Sequence, residues 1–153
     1  MTSNLAHLFP LAAKLARISS FVLMALWLLE LAVLPLVRSV NVGEFTTHLI
    51  VRASLPVYAV SLFFLAKALR NLDDRESPAR TLEITAALLI LGTLLELFIS
   101  PLALFWLSSG EAGALAHFVP SAVVLFFAGV GLGTFAHAIR KSAALQRELD
   151  EFV

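Results

Sequence analysis

Two carboxylates stand where carboxylates are costly. Glu30 lies in LLELAVLPL, residues 28–36, and Glu96 in LLELFISPL, residues 94–102. Both phrases spell Leu-Leu-Glu-Leu, three variable residues, then Pro-Leu, inside long apolar runs. Ionisable groups buried at such places usually face a protein interior and pair with one another. Arg52, in the next apolar run, is the basic side chain within reach. Two carboxylates and one guanidinium cannot all be charged comfortably. Either one Glu is protonated, or a cation or cationic ligand completes the balance. Tyr58 and Ser100, with Ser54 and Trp106, are placed to line such a site; Trp106 serves equally well as an interfacial anchor. We therefore expect a ligand or ion site built from Glu30, Arg52, Glu96, Tyr58 and Ser100. A proton path is an alternative. A third is purely structural: Glu30 and Arg52 form a buried pair while neutral Glu96 donates a hydrogen bond that fixes helix register.

His48 and His117 both fall at the ends of apolar runs, and two such residues could ligate a haem or a metal. Without supporting acidic spacing the signal is weak, and no cofactor is assigned. His7 and His137 read as structural. Catalytic motifs are missing: there is no H-E-x-x-H, G-x-S-x-G or P-loop. Glu30 and Glu96 could do acid/base work, but nothing supplies a nucleophile or a grip on substrate. The chain is not expected to be an enzyme.

The elements that must hold these residues are membrane helices. The chain is 59% hydrophobic and only 14% charged, whereas soluble domains run near about 25% charged. Four apolar runs, near 17–38, 47–70, 82–107 and 115–139, each exceed the roughly 20 residues needed to cross a bilayer. Little remains for a soluble domain. With no Cys in the sequence, disulfides, thiolate metal sites and Cys nucleophiles are excluded. Net charge is zero, which argues against direct nucleic-acid binding. The first span lacks a cleavage site and reads as a retained signal-anchor.

Short connections predict an all-α, up-down-up-down four-helix bundle over residues 1–140, with an amphipathic tail at 141–153. The N-terminus, the 67–83 loop and the tail share nine of the eleven basic residues, so both termini are expected in the cytoplasm. Residues 5–16 suggest a short interfacial helix, or a frayed start to span 1, with a break at Pro10. Thr46 or Thr47 is a candidate cap for span 2 and Ser77-Pro78 for span 3. Pro35, Pro56, Pro101 and Pro120 each free a carbonyl one turn earlier, which predicts an irregular outer half with room for water. Gly129 and Gly133 form a G-x-x-x-G pair for close helix contact, within the chain or in a dimer. In the tail Leu145, Leu149 and Phe152 repeat at helical spacing, a candidate docking stripe for a soluble partner or a face lying on the membrane.

The two phrases are 66 residues apart, one helical hairpin, which suggests two parallel repeats. At about 1.5 Å per residue Glu30 sits roughly 12 Å below Arg38 and the outer boundary, and the matched motif puts Glu96 at a similar level.

The tail pattern Phe135-Ala136-His137-Ala138-Ile139-Arg140, then Leu145-Gln146-Arg147-Glu148-Leu149-Asp150, resembles the bacterial membrane family catalogued as domain of unknown function 2975. Four spans in about 150 residues and a short charged central loop fit it as well. The chain departs from that pattern at Glu76-Ser77-Pro78-Ala79, where a Gly-x-Pro-Phe-like segment is usual, and at Glu151-Phe152-Val153, where Leu-Thr is usual. The resemblance implies a bacterial inner-membrane protein that partners small helix-turn-helix regulators, and it carries over no site residue. The expected function is that of a small regulatory or sensory membrane protein, with an oligomeric transporter or channel subunit as the alternative.

Overall fold

The computed structural model of the chain describes residues 3–37, 41–71, 77–107 and 119–151. Its elements are all helical: α1 (Ser3–Val37), α2 (Val42–Val51), α3 (Ser54–Arg70), α4 (Ser77–Leu94), a π-helical turn (Leu95–Ile99), α5 (Ser100–Leu107) and α6 (Pro120–Glu151). Together they provide four stretches long and apolar enough to cross a membrane: Phe9–Leu36, Val42–Arg70, Pro78–Leu107 and Pro120–Leu149.

The break expected at Pro10 is absent, since α1 runs through both Pro10 and Pro35. In apolar surroundings a backbone group has few partners outside the helix, so the ladder closes around a proline that would interrupt it in water. Span 2 begins at Val42 rather than Thr47, and neither threonine caps it. Thr46 and Thr47 instead donate to the carbonyls of Val42 and Gly43, four residues back, at 2.8 and 2.9 Å. Span 4 begins at Pro120, five residues later than 115, and continues unbroken through Arg140 to Glu151. Residues 38–40, 72–76 and 108–118, Arg38 and His117 among them, and Phe152 lie outside the described residues.

The packing is the reverse of a soluble bundle. Among the described residues, and prolines and glycines apart, the buried apolar ones are Ala13, Ala59, Ala66, Ala68, Ala79, Ala86, Ala122 and Ala136, with Leu82 as the one large member. Thr85, Thr93 and Ser61 are the largest fully buried side chains. Phe21, Leu26, Phe98, Val124 and Phe127 face outward. In lipid, burying Leu and Phe between helices gains little, because acyl chains are equally apolar. Close contact of small residues and cross-helix hydrogen bonds hold helices together instead.

Those bonds are specific. The Ser20 hydroxyl donates to the Ala59 carbonyl at 2.6 Å and Ser61 to Thr85 at 3.4 Å. Helix α1 packs on α3, α3 on α4, and α4 on α6. Toward the far end of the α4–α6 contact Ala68, Leu82 and Ala136 form one cluster, and Arg140 Nη1 lies 3.0 Å from Glu83 Oε1.

Gly129 explains how closely α6 approaches α4. A Cβ there would lie 3.0 Å from Ile90 Cγ1, 3.2 Å from Leu89 Cβ and 3.3 Å from the Ala86 carbonyl oxygen. A Cβ on Gly131 would meet nothing within 4 Å. Gly129→Ala is therefore expected to lower stability by on the order of 1–3 kcal/mol through overpacking. Gly131→Ala should be neutral or gain up to about 1 kcal/mol of helix propensity. Thermal melts of both variants in one detergent check the contrast, and equal melting points would sink it.

Candidate functional site

Two neighbouring membrane stretches lose their regular helix at facing places. In the second, Pro56 has no N–H to offer the Arg52 carbonyl, which accepts from Leu55 instead at 3.1 Å. The helix ends at Val51 and restarts at Ser54, with Arg52 between at φ −99° and ψ 6°. The Ile50 carbonyl accepts twice, from the Ala53 N–H at 3.3 Å and from the Ser100 hydroxyl at 2.9 Å.

In the third stretch the interruption is the π turn. The Ser100 N–H donates to the Leu95 carbonyl, five residues back, so the ladder holds one extra residue. Glu96 sits inside this turn. Pro101 is part of the cause but not all of it, because the first copy of the motif has Pro35 at the same offset and stays within regular α1. The copies differ at three positions, and the polar exchange among them is Ser100, where the first copy has Leu34. Its hydroxyl is tied to the second stretch, and Leu34 has no such bond to make. Single π turns are often found at functional sites, where the extra residue redirects a side chain.

Between the two interruptions lies a pocket of about 270 Å³. Its polar lining comes from Arg52, Ser54, Tyr58, Glu96, Ser100 and Ser121, and its apolar wall includes Leu55, Leu104 and Leu125. The Tyr58 hydroxyl donates to Glu96 Oε2 at 2.8 Å. The Tyr58 ring reaches that position by lying across Gly92, where a Cβ would stand 2.5 Å from Tyr58 Cε1. Gly92 is one helical turn before Glu96, so the missing side chain leaves room for the ring beneath the carboxylate.

Glu30 is placed differently. It does not line the pocket; its Oε2 lies 3.6 Å from Arg52 Nε and 3.6 Å from His48 Nε2. At that separation neither is a hydrogen bond, and the Arg52 contact is an ion pair. Trp27 Nε1, Glu30 Oε2 and His48 Nε2 are all buried atoms that make no hydrogen bond. Arg52 is thus the shared member, facing the Glu30 cluster on one side and the pocket on the other.

Of the residues expected at the site, Arg52, Glu96, Tyr58 and Ser100 come together around one pocket, and Glu30 joins them only through Arg52. Ser54 is in the lining and Trp106 is exposed. His48 is beside Glu30, while its expected counterpart His117 falls outside the described residues. Among the described residues no group of three or more His, Cys, Asp or Glu side chains comes together as a metal site. Leu145 and Leu149 are 52% and 65% exposed on the last turns of α6. Gly92 and Trp27 escaped the sequence reading although spacing marks them: each lies one helical turn before one of the two intramembrane glutamates. Ser121 had no such signal, since its place depends on the connection before it. Compared with family models, with curated proteins and with solved structures, the chain matches none.

Proposed function

We propose that this chain is a small multi-pass membrane protein of the regulatory or sensory kind, which binds a ligand within its membrane domain. The observation that carries the reading is the pairing of two helix interruptions around one polar pocket. Broken helices at membrane depth are stable only where protein or a water-filled cavity satisfies the freed backbone, and they recur at binding sites. Here the unwound Arg52 segment and the π turn bearing Glu96 open on the same space. The contact series from Glu30–Arg52 to Ser20–Ala59, and from Tyr58–Glu96 to Ser61–Thr85, supports an up-down-up-down order. The excess of basic residues near the termini and central loop favours a cytoplasmic placement for both ends, in a bacterial inner membrane if the family resemblance holds. No catalytic role is proposed.

The read-out would run through the central loop and the tail. Helix α6 is 32 residues long, about 48 Å, against about 30 Å of hydrocarbon. Its surplus carries Leu145 and Leu149 outward, which suits a soluble partner such as a small helix-turn-helix regulator.

The test is purification of the full chain from its own cells in mild detergent, beside a Leu145→Glu, Leu149→Glu variant. One cytoplasmic protein in fixed proportion, lost from the variant, is the expected result. A homo-oligomer with no soluble companion in either preparation would overturn it in favour of transport. One observation favours that second reading, since broken helices at mid-membrane sites are a transporter feature. Against a pathway using both carboxylates stands the position of Glu30 outside the pocket.

A further inference from the structure

The charge pattern of the pocket narrows what it takes. This inference rests on the reading that the pocket is a binding site. Arg52 and Glu96 are the charged residues among those lining it. Arg52 already has a carboxylate beside it, with Glu30 Oε2 3.6 Å from its Nε. Among the described residues Glu96 makes no ion pair; what it has is the Tyr58 hydroxyl at 2.8 Å. A tyrosine hydroxyl anchors one oxygen without neutralising it. Among the described residues, two carboxylates against one guanidinium leave one carboxylate, Glu96, without a cationic partner. An uncompensated charge away from water is expensive, so a partner of opposite sign is strongly favoured there.

Size and wall chemistry say which partner. The pocket's 270 Å³ is many times the roughly 10–15 Å³ that a cavity needs to hold one water. That is far more than a bare ion needs, and among the described residues that line the pocket Glu96 is the one carboxylate, with no His beside it. Leu55, Leu104 and Leu125 present hydrocarbon to the remaining volume. The Tyr58 ring lies in the same lining, and an aromatic ring attracts an ammonium more than a neutral group. Carboxylate, aromatic ring and aliphatic wall together form a receptor for a monovalent ammonium carrying an apolar body. We infer that the pocket binds a small lipophilic organic ammonium, with Glu96 as its counter-ion, Tyr58 holding that carboxylate in place, and the leucines covering the apolar part. An anion would have to compete with Glu30 for Arg52. A zwitterion would leave the excess charge where it was.

The experiment uses the full chain in nanodiscs and three probes of similar size: benzyltrimethylammonium, phenylalanine and 3-phenylpropionate, a cation, a zwitterion and an anion. Binding is followed by calorimetry. Benzyltrimethylammonium is expected to bind at least ten-fold more tightly than either of the others. Glu96→Gln should weaken it ten-fold or more, Tyr58→Phe several-fold, and Glu30→Gln least. Because Glu96→Gln keeps the side chain's size and Tyr58→Phe keeps the ring, a melting point near wild type identifies the losses as binding effects. Tighter binding of phenylalanine or phenylpropionate would overturn the assignment, as would unchanged affinity in Glu96→Gln or failure of all three probes. Mass spectrometry of small molecules retained by wild type and not by Gly92→Leu separates the two levels. A neutral or anionic molecule held only by wild type leaves the pocket as a site and removes the ammonium from it.

Discussion

Gly92→Ala is expected to disable the pocket from a residue outside its lining. The added Cβ would stand 2.5 Å from Tyr58 Cε1, 2.9 Å from Cδ1 and 3.2 Å from Cζ. The first two separations are shorter than carbon atoms tolerate, so ring or helix must move. The ring is tethered at its far end by the 2.8 Å bond to Glu96, and moving it breaks that bond. Overpacking of this kind costs about 1–3 kcal/mol, and a hydrogen bond to a charged group is worth about 1.5–3 kcal/mol. The helix propensity gained by replacing glycine returns up to about 1 kcal/mol. The balance is a clear loss of stability together with loss of ligand. A second change separates the two. Gly92→Ala with Tyr58→Leu removes the clash but not the loss of the Glu96 bond, so the melting point should recover in part while binding stays lost. A Gly92→Ala protein that melts and binds like wild type would show that the ring does not need this clearance.

The second large effect concerns Arg52. Among the described residues, Arg52→Leu leaves Glu30 with His48 as its one ionisable neighbour, and the pocket with Glu96 as its one charged lining residue. Removing one partner of a charge pair away from water is more damaging than removing both, because the survivor stays uncompensated. An ionised acid at the centre of a membrane helix costs about 2.5–3.5 kcal/mol on insertion scales. The side chains of Glu30 and Arg52 are 38% and 45% exposed, which lowers the expected loss to about 2 kcal/mol. Arg52→Leu combined with Glu30→Gln should be more stable than Arg52→Leu alone. A double-mutant cycle reads the coupling directly. Simple additivity of the two changes would mean that the 3.6 Å contact contributes nothing.

The membrane stretches were legible because their signal is composition and length, which neither packing nor loops can disguise. Their ends were less so. Thr46 and Thr47 look like caps in sequence and become back-bonded helix residues, because in lipid the helix extends wherever no water waits to take up the backbone. Pro10 failed as a break for the same reason. The site was half legible. Residue type and depth brought Arg52, Tyr58, Glu96 and Ser100 to one place, and the prolines marked an irregular level. The equality of the two motif copies was misleading. The copies differ at three positions, and of these Ser100, where the first copy has Leu34, is the one that bonds across to the second stretch beside the π turn. That bond depends on a carbonyl 50 residues away in the chain, and no local pattern contains it.

The alanine and threonine seam sets how this protein can vary over time. In a soluble bundle the interior tolerates loss of volume poorly, and the outside accepts almost any polar residue. Here the inside admits little growth, since Ala59, Ala68, Ala122 and Ala136 are fully enclosed, yet it can exchange alanine for serine wherever a carbonyl waits across the seam. The outside has the opposite freedom. Phe, Leu, Ile and Val can drift among themselves under the acyl chains, and a single charge is barred. Two descendants of this chain could therefore differ at most of their large residues and keep the same small ones, so kinship would be written in the alanines, serines and glycines.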